Sequence, residues 1–321
     1  MSEFFLDVEN GKTRTKFPGH SVVGRAGFKD GLEEFVLKLR EFHDVHWQNA
    51  VERLRECTRA GYESAWNRHI EPSLAEIDMD DLSVERVESW LSSIPSKGAA
   101  RKAWSVLRAM LRKAIKWGFL DVDITRRIDA PKRAAYQPAT LNARELNCLL
   151  RGFWGHELEA WLICSICLGL RTEEALGLDW EDIDLRSGKV HVRRGLQWIN
   201  GHEVVVEPKT ELSRRTVILP RFAILRLRQL KGRGRLVGTL NPGQVARRYV
   251  SWCKQHDLPC VPRRNLRHSW ATTALAAGVD VAVVSRALGH SSIETTAKYY
   301  LRPDLSVLKD AQKQWEHAIM Q

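Results

Sequence analysis

The side chains best able to do chemistry together gather in the last quarter of the chain, between residues 264 and 300. Asn265 reads as a helix N-cap, with Leu266, Trp270 and Ala274 following at helical spacing to a stop at Gly278, which puts Arg267 in the first helical turn. A guanidinium beside free backbone N–H groups suits a phosphate oxygen, because its charge and the helix dipole act in the same direction. Asp280 caps a second helix ending at Gly289, and His290 stands immediately beyond it. Ser291 with Glu294 forms a capping box for a third helix that carries Tyr299 and Tyr300 until Pro303 stops it. Three helix ends thereby bring an arginine, a histidine and a tyrosine within reach of one anion.

The elements that must position these residues fit within a chain of 321 residues, long enough for two compact domains, with 44% hydrophobic residues to fill their cores. A net charge of +11 points to a polyanionic partner. Nucleic acid is favoured over membrane, since no long apolar run or amphipathic anchor is present. No secretory signal stands at the N-terminus, and the six cysteines form no disulfide frame, so a reducing cytoplasmic setting is expected. Cys164 and Cys167 have CxxC spacing but lie in an apolar helical pattern without a second ligand pair, so packing rather than metal binding is expected.

Residues 1–30, with Lys12, Arg14, Lys16 and Arg25, read as an N-terminal extension, either a DNA-contacting arm or a frayed end. Residues 31–129 read as an all-helical domain. Its expected helices are marked by Leu32, Phe35, Val36 and Leu39, by Val51, Leu54 and Cys57, by Tyr62, Trp66 and Ile70 up to Pro72, by Leu82 to Leu91, and by residues 99–117. The last of these carries Arg101, Lys102, Arg108, Arg112, Lys113 and Lys116 opposite Trp104, Leu107, Leu111 and Ile115, with no acidic residue between 97 and 119. Such a one-signed face suits a phosphate backbone. Residues 130–140 read as a linker, 141–303 as a mixed helical and stranded domain, and 304–321 as a C-terminal helix with one apolar stripe. Strands are expected at 183–185, 189–193, 203–207 and 216–219, forming a small antiparallel sheet with Lys209 in one of its turns.

Four segments, GLRTEEALGL from 169, PKTELSRRTVILP from 208, NLRHSWATTAL from 265 and LGHSSIETTAKYY from 288, resemble in order and spacing the tyrosine recombinases, or phage integrase family. The likeness runs more weakly over TRAGYESAWNRHIEPSL and VESWL, which look like that family's core-binding domain. It implies a multidomain protein, with an all-α core-binding domain before a mixed α+β catalytic domain containing a small antiparallel sheet. It also implies that Arg171, Lys209, Arg267 and His290 are catalytic, with Tyr299, nine residues after His290, as the nucleophile. Glu174 and His268 are expected in support. Arg264 stands where the family has a histidine, three residues before Arg267.

The residue types suit this chemistry. Arg171, Arg267 and His290 match the charge that gathers on a phosphodiester under attack, and Lys209 can protonate the departing 5′ oxygen. Arg264 stays charged and cannot act as a general base, though its field lowers a tyrosine pKa. The resemblance implies a 3′-phosphotyrosyl intermediate, no metal or other cofactor, and four protomers on two duplex DNA sites linked through the C-terminal helix. Accessory DNA-bending proteins are admitted as further partners, at the nucleoid of a prokaryotic host. The expected function is integration or excision of a mobile element. Relaxation of the type IB topoisomerase kind, or DNA binding with impaired catalysis, are the alternatives.

Overall fold

The structure, a computed structural model, describes residues 6–9, 12–17, 20–29, 32–132, 137–206, 214–290, 292–300, 312–313, 315–317 and 319–320, with the strands up to residue 36 and positions 295 and 298–300 described by backbone alone. The chain divides into two compact units, Met1–Tyr136 and Gln137–Gln321.

The first unit opens with an antiparallel meander in the order β1 (Leu6–Glu9), β2 (Lys12–Phe17), β3 (His20–Lys29) and β4 (Leu32–Val36). Glu9 pairs with Lys12, Phe17 with His20, and Lys29 with Leu32. The expected helix at Leu32, Phe35 and Val36 is therefore a strand, because pairing along β3 gives this backbone partners that its helix-like apolar spacing does not.

Helices take over at α1 (Leu39–Glu41), which continues through a π-helical segment at Phe42–Trp47 into α2 (Gln48–Val51). Leu39, Phe42, Trp47 and Val51 are buried along this path, and the five-residue step from Phe42 to Trp47 fits the wider π turn. The helix does not run on to Cys57 as expected: Leu54 is exposed, and α3 (Glu56–Ala65) starts afresh. A second π segment, Trp66–Ile70, leads into α4 (Glu71–Leu74), where Pro72 sits in the first turn instead of ending the helix.

Ser83 caps α5 (Val84–Ser93) by accepting from the Arg86 N–H at 3.2 Å, and Ser96 caps α6 (Lys97–Lys116). Caps of this kind are worth about 1 kcal/mol. Along α6, Ala100, Ala103, Trp104, Leu107, Met110, Leu111 and Ala114 are buried, and this stripe fixes which face is left outside.

The second unit is built on α8 (Glu159–Cys167), whose residues from Glu159 to Ile166 are all buried. It follows α7 (Ala143–Gly152), which opens with an Asn142–Glu145 capping box. After α9 (Thr172–Leu176) come β5 (Ile183–Asp184), β6 (Lys189–Val192), β7 (Gly195–Ile199), β8 (His202–Val206) and β9 (Arg215–Ile218). These make a three-stranded antiparallel sheet in the order β5-β6-β9 and a separate β7-β8 hairpin. Asn200 and Gly201 turn that hairpin with φ of 49° and 84°, the left-handed pair that a two-residue turn demands. Strand β7 was not expected from the sequence.

The remaining helices are α10 (Arg221–Leu230), α11 (Pro242–Gln255), α12 (Arg263–Ala276), α13 (Val281–Leu288) and α14 (Ile293–Tyr300). Trp161, Phe153, Leu158, Tyr249 and Leu266 lie in the core around α8. Among the described residues no helix is long and apolar enough to cross a membrane.

Candidate active site

Among the described residues, Arg171 and His290 are placed by helix ends, Arg215 by a strand and Arg267 within α12. After α8 the chain turns at Gly169 (φ 58°), where an added Cβ would lie 2.6 Å from the Trp270 ring. Only glycine fits this close approach, and the turn presents the Gly169 carbonyl to Arg267, whose Nη1 donates to it at 3.0 Å. Arg171 then occupies the N-cap of α9. Its backbone N–H donates to Glu174 Oε2 at 2.8 Å, its Nη1 to Glu174 Oε1 at 2.6 Å, and its Nη2 to the Gly289 carbonyl at 2.8 Å.

The same carboxylate holds a second arginine. From β9, Arg215 donates through Nη1 and Nη2 to the two oxygens of Glu174, each at 2.9 Å, and through Nε to the Ala287 carbonyl at 2.6 Å. This fork-on-fork geometry is the strong form of a charge-assisted pair. Two carbonyls at the end of α13 are thus tied to the Glu174 cluster.

Helix α13 begins at Asp280, whose Oδ1 accepts from the Ala282 and Val283 N–H groups, and closes at Gly289 with φ 68°. Gly289 donates to the Arg286 carbonyl and His290 to the Ser285 carbonyl, the paired bonds of a Schellman ending. His290 is therefore delivered at a fixed point, and its Nδ1 lies 2.8 Å from Thr296 Oγ1 on α14.

Electrostatics bind these groups into one site. Burial pushes the Glu174 carboxyl up, but the hydrogen bonds and charge of Arg215, with Arg171, outweigh it and hold the group at about 2. Burial, followed by the charges of Arg267, Arg171, Arg215 and His268, pushes His290 down to about 4. His268 is likewise lowered, by burial first and then by Arg267 and Arg264. The guanidinium groups of Arg171, Arg215 and Arg267, with Arg264 near His268, share this region with two imidazoles and one carboxylate, a balance suited to an anion with several acceptor oxygens.

The family model described as Phage integrase family matches residues 159–305, and a second, Phage integrase, N-terminal SAM-like domain, matches residues 38–94. The chain belongs to the phage integrase family of tyrosine recombinases. It is 23% identical over 342 aligned positions to a XerC-like tyrosine recombinase of Caldanaerobacter subterraneus, covering 90% of this chain and 86% of the relative. Its fold is similar to that of the Tn1549 transposon integrase in complex with transposon right end DNA, with a TM-score of 0.71 and 15% identity over 87% of this chain and all of that one. It is also similar to the lambda integrase tetramer bound to a Holliday junction, with a TM-score of 0.64 and 15% identity over 94% and 98% of the two chains.

Within this recombinase, Arg171, Glu174, Arg267, His268 and His290 come together. Two expectations about their local structure are corrected. Asn265 is not an N-cap, because α12 starts behind Pro262 and carries Arg267 in its second turn. Asn265 is instead buried, its amide donating to the Ala139 carbonyl at 3.0 Å. At the start of α14 the Glu294 N–H donates to Ser292 Oγ at 3.1 Å, so the serine next to the helix takes the role expected of Ser291, which itself lies outside the described residues. Lys209 also lies outside them, as do Pro303 and most of the tail from 304. Tyr299 is placed by its backbone on α14. Arg264 is exposed on α12 and lines a cavity of about 640 Å³ with Thr172, Tyr249 and Val261.

On α6, Arg101, Lys102, Arg108, Arg112 and Lys116 are exposed and Lys113 is half-buried. Lys102 and Lys113 sit 4.7 and 4.5 Å from the ring centres of Tyr62 and Trp117. Cys164 and Cys167 are enclosed in α8, and burial pushes their thiols up, Cys167 to about 12, away from the thiolate a metal would need.

Arg215 and Thr296 are the residues that sequence reasoning missed. A signal existed for the first: on β9 it shares the inward register with buried Val217, and a cation turned inward calls for a carboxylate.

Proposed function

We propose that this tyrosine recombinase breaks and rejoins duplex DNA at specific sites, with Tyr299 as nucleophile and a 3′-phosphotyrosine as intermediate. The observation that carries the reading is the Glu174 cluster, which ties Arg171 and Arg215 to the end of α13 immediately before His290, with α14 and Tyr299 following in the chain. Donors held in place before the reaction stabilise developing charge without reorganising.

Arg171 and Arg267 serve the non-bridging oxygens, and His290, neutral at working pH, serves as a hydrogen-bond donor. Attack forms the bond between the Tyr299 oxygen and phosphorus and breaks the bond from phosphorus to the 5′ oxygen, which takes a proton from Lys209. The phenol, with a reference pKa of about 10, gives its proton to water, and the field of Arg264 and its neighbours favours the phenolate. The phosphotyrosine keeps the bond energy, and a 5′-hydroxyl from the second site reverses the step to complete exchange.

DNA is gripped by the α6 face of Arg101, Lys102, Arg108, Arg112, Lys113 and Lys116, on a core-binding domain assigned to 31–129, with catalysis assigned to 141–303. Four protomers on two sites, joined through residues 304–321, agree with the tetramer named for lambda integrase. A groove of about 1090 Å³ lined by Ile218, Val283 and Ile293, together with exposed Trp315 and Ile319 in the tail, supports an exchanged helix. The transposon right end DNA bound in the Tn1549 integrase structure supports a mobile-element substrate.

The test uses duplexes selected by the protein from a random-sequence pool, cloned as two copies in one supercoiled plasmid. Exchange between the copies supports the proposal. Relaxation without exchange would indicate topoisomerase action, and retardation without cleavage would indicate binding alone.

A further inference from the structure

We propose that Thr296 is a positioning residue that keeps the proton of neutral His290 on Nε2, and that its place on α14 couples this tautomer to the helix of Tyr299. The inference rests on the recombinase reading of the same site. Thr296 is fully buried, and its Oγ1 stands 2.8 Å from His290 Nδ1.

In a neutral imidazole one nitrogen donates and the other accepts, and the partner of one sets the state of the other. Phosphate oxygens only accept. His290 can therefore donate to them from Nε2 only while Nδ1 accepts. The commoner Nδ1 partners, a backbone carbonyl or a carboxylate, would hold the proton at Nδ1 and leave Nε2 bare. A hydroxyl differs from both, because it can itself donate to Nδ1. Burial of Thr296 keeps bulk water from taking over that task. Burial and the charges of Arg267, Arg171 and Arg215 also keep the ring from holding both protons at neutral pH, so its capacity to donate is decided by tautomer and not by charge.

The two partners are held by different helices. His290 is fixed to the end of α13 by its own N–H, which donates to the Ser285 carbonyl at 3.1 Å. Thr296 stands on α14, one turn before Tyr299. The bond between them spans the two helices. When α14 is in place the hydroxyl reaches Nδ1 and the Nε2 donor is ready; when α14 is displaced the preference disappears. The donor is therefore armed only when the nucleophile's helix is seated.

The experiment records the ring nitrogen resonances of His290 in full-length, histidine-labelled protein, assigned with His290→Gln, for the parent, Thr296→Ser and Thr296→Val. The same three proteins are assayed for covalent adduct on a nicked duplex from the selected pool. The expected result is a proton on Nε2 in the parent and Thr296→Ser, and a mixed tautomer in Thr296→Val. Cleavage should be near parental in Thr296→Ser and about tenfold slower in Thr296→Val, the factor that one ordinary hydrogen bond controls, with DNA binding unchanged. A parent with its proton on Nδ1, or a Thr296→Val protein matching the parent in both readouts, would overturn the proposal. A parent that shows the Nε2 proton yet forms no adduct would support the tautomer assignment and count against the recombinase reading instead.

Discussion

Two sets of cations in this protein have the same residue types and opposite surroundings. On α6, Arg101, Lys102, Arg108, Arg112 and Lys116 are exposed on a continuous helix, and two of the helix's lysines rest over aromatic rings. In the candidate active site Arg267 is buried and the Arg215 side chain is only 7% exposed, and Arg171, Arg215 and Arg267 each donate to a named carboxylate or carbonyl. The difference separates affinity from chemistry. Exposed charges attract a polyanion at long range and are screened by salt. Enclosed, fixed charges act on one phosphate at short range and are not.

The largest expected effect tests the enclosed set. Arg267→Ala should lower the rate of covalent adduct formation by roughly a hundredfold to a thousandfold, the range for removing one preorganised donor, while retardation of DNA stays near the parental level. Equal losses of binding and cleavage would erase the distinction between the two sets.

Arg215 sharpens the comparison, because its effect should fall on stability as well as on rate. Arg215→Met removes one partner of an enclosed cluster and leaves Glu174 with Arg171 alone, so unfolding should become easier by roughly 1 to 3 kcal/mol. Denaturant unfolding measures this, and a change within about 0.5 kcal/mol, typical of a surface site, would mean that Arg215 is not structural.

Replacing Arg108 and Arg112 together by Gln should weaken binding by a similar factor on every sequence. The slope of log affinity against log salt should fall by about 0.9 for each phosphate that is no longer neutralised. Titrations at several salt concentrations decide it, and a change in sequence preference with an unchanged slope would contradict the assignment.

The smallest expected effect is in acid. The folded state holds His290 at about 4 against an ordinary 6.5, so the unfolded chain takes up this proton first, and stability falls as pH drops from 6.5 towards 4. Glu174, held at about 2 against 4.5, loses its contribution over a lower window as pH falls through that value. Thermal melts between pH 7 and the acid limit should show both losses in the parent and a reduced lower one in Arg215→Met.

Much of this site was legible in the sequence because helix punctuation is local. Asp280 and Gly289 bracket α13 as their residue types require, and His290 follows from them. What failed depended on partners far along the chain. Asn265 has the composition of a cap, but its amide is used by Ala139, more than a hundred residues earlier. Leu32, Phe35 and Val36 have helical spacing, yet β3 offers them a strand partner, and the dipeptides Asn10-Gly11 and Asp30-Gly31 in the sequence were the hairpin signals that spacing overrode. Arg215 was hidden for the same reason, since its carboxylate is 41 positions away.

The central claim is that the Tyr299 oxygen takes the place of a strand's 5′ oxygen on phosphorus. The direct measurement is denaturing electrophoresis of labelled nicked duplex after incubation with the parent and with Tyr299→Phe. The account predicts a protein-linked 3′ end in the parent and none in Tyr299→Phe, with equal retardation by both. Protein-linked DNA of undiminished yield in the phenylalanine variant would contradict it.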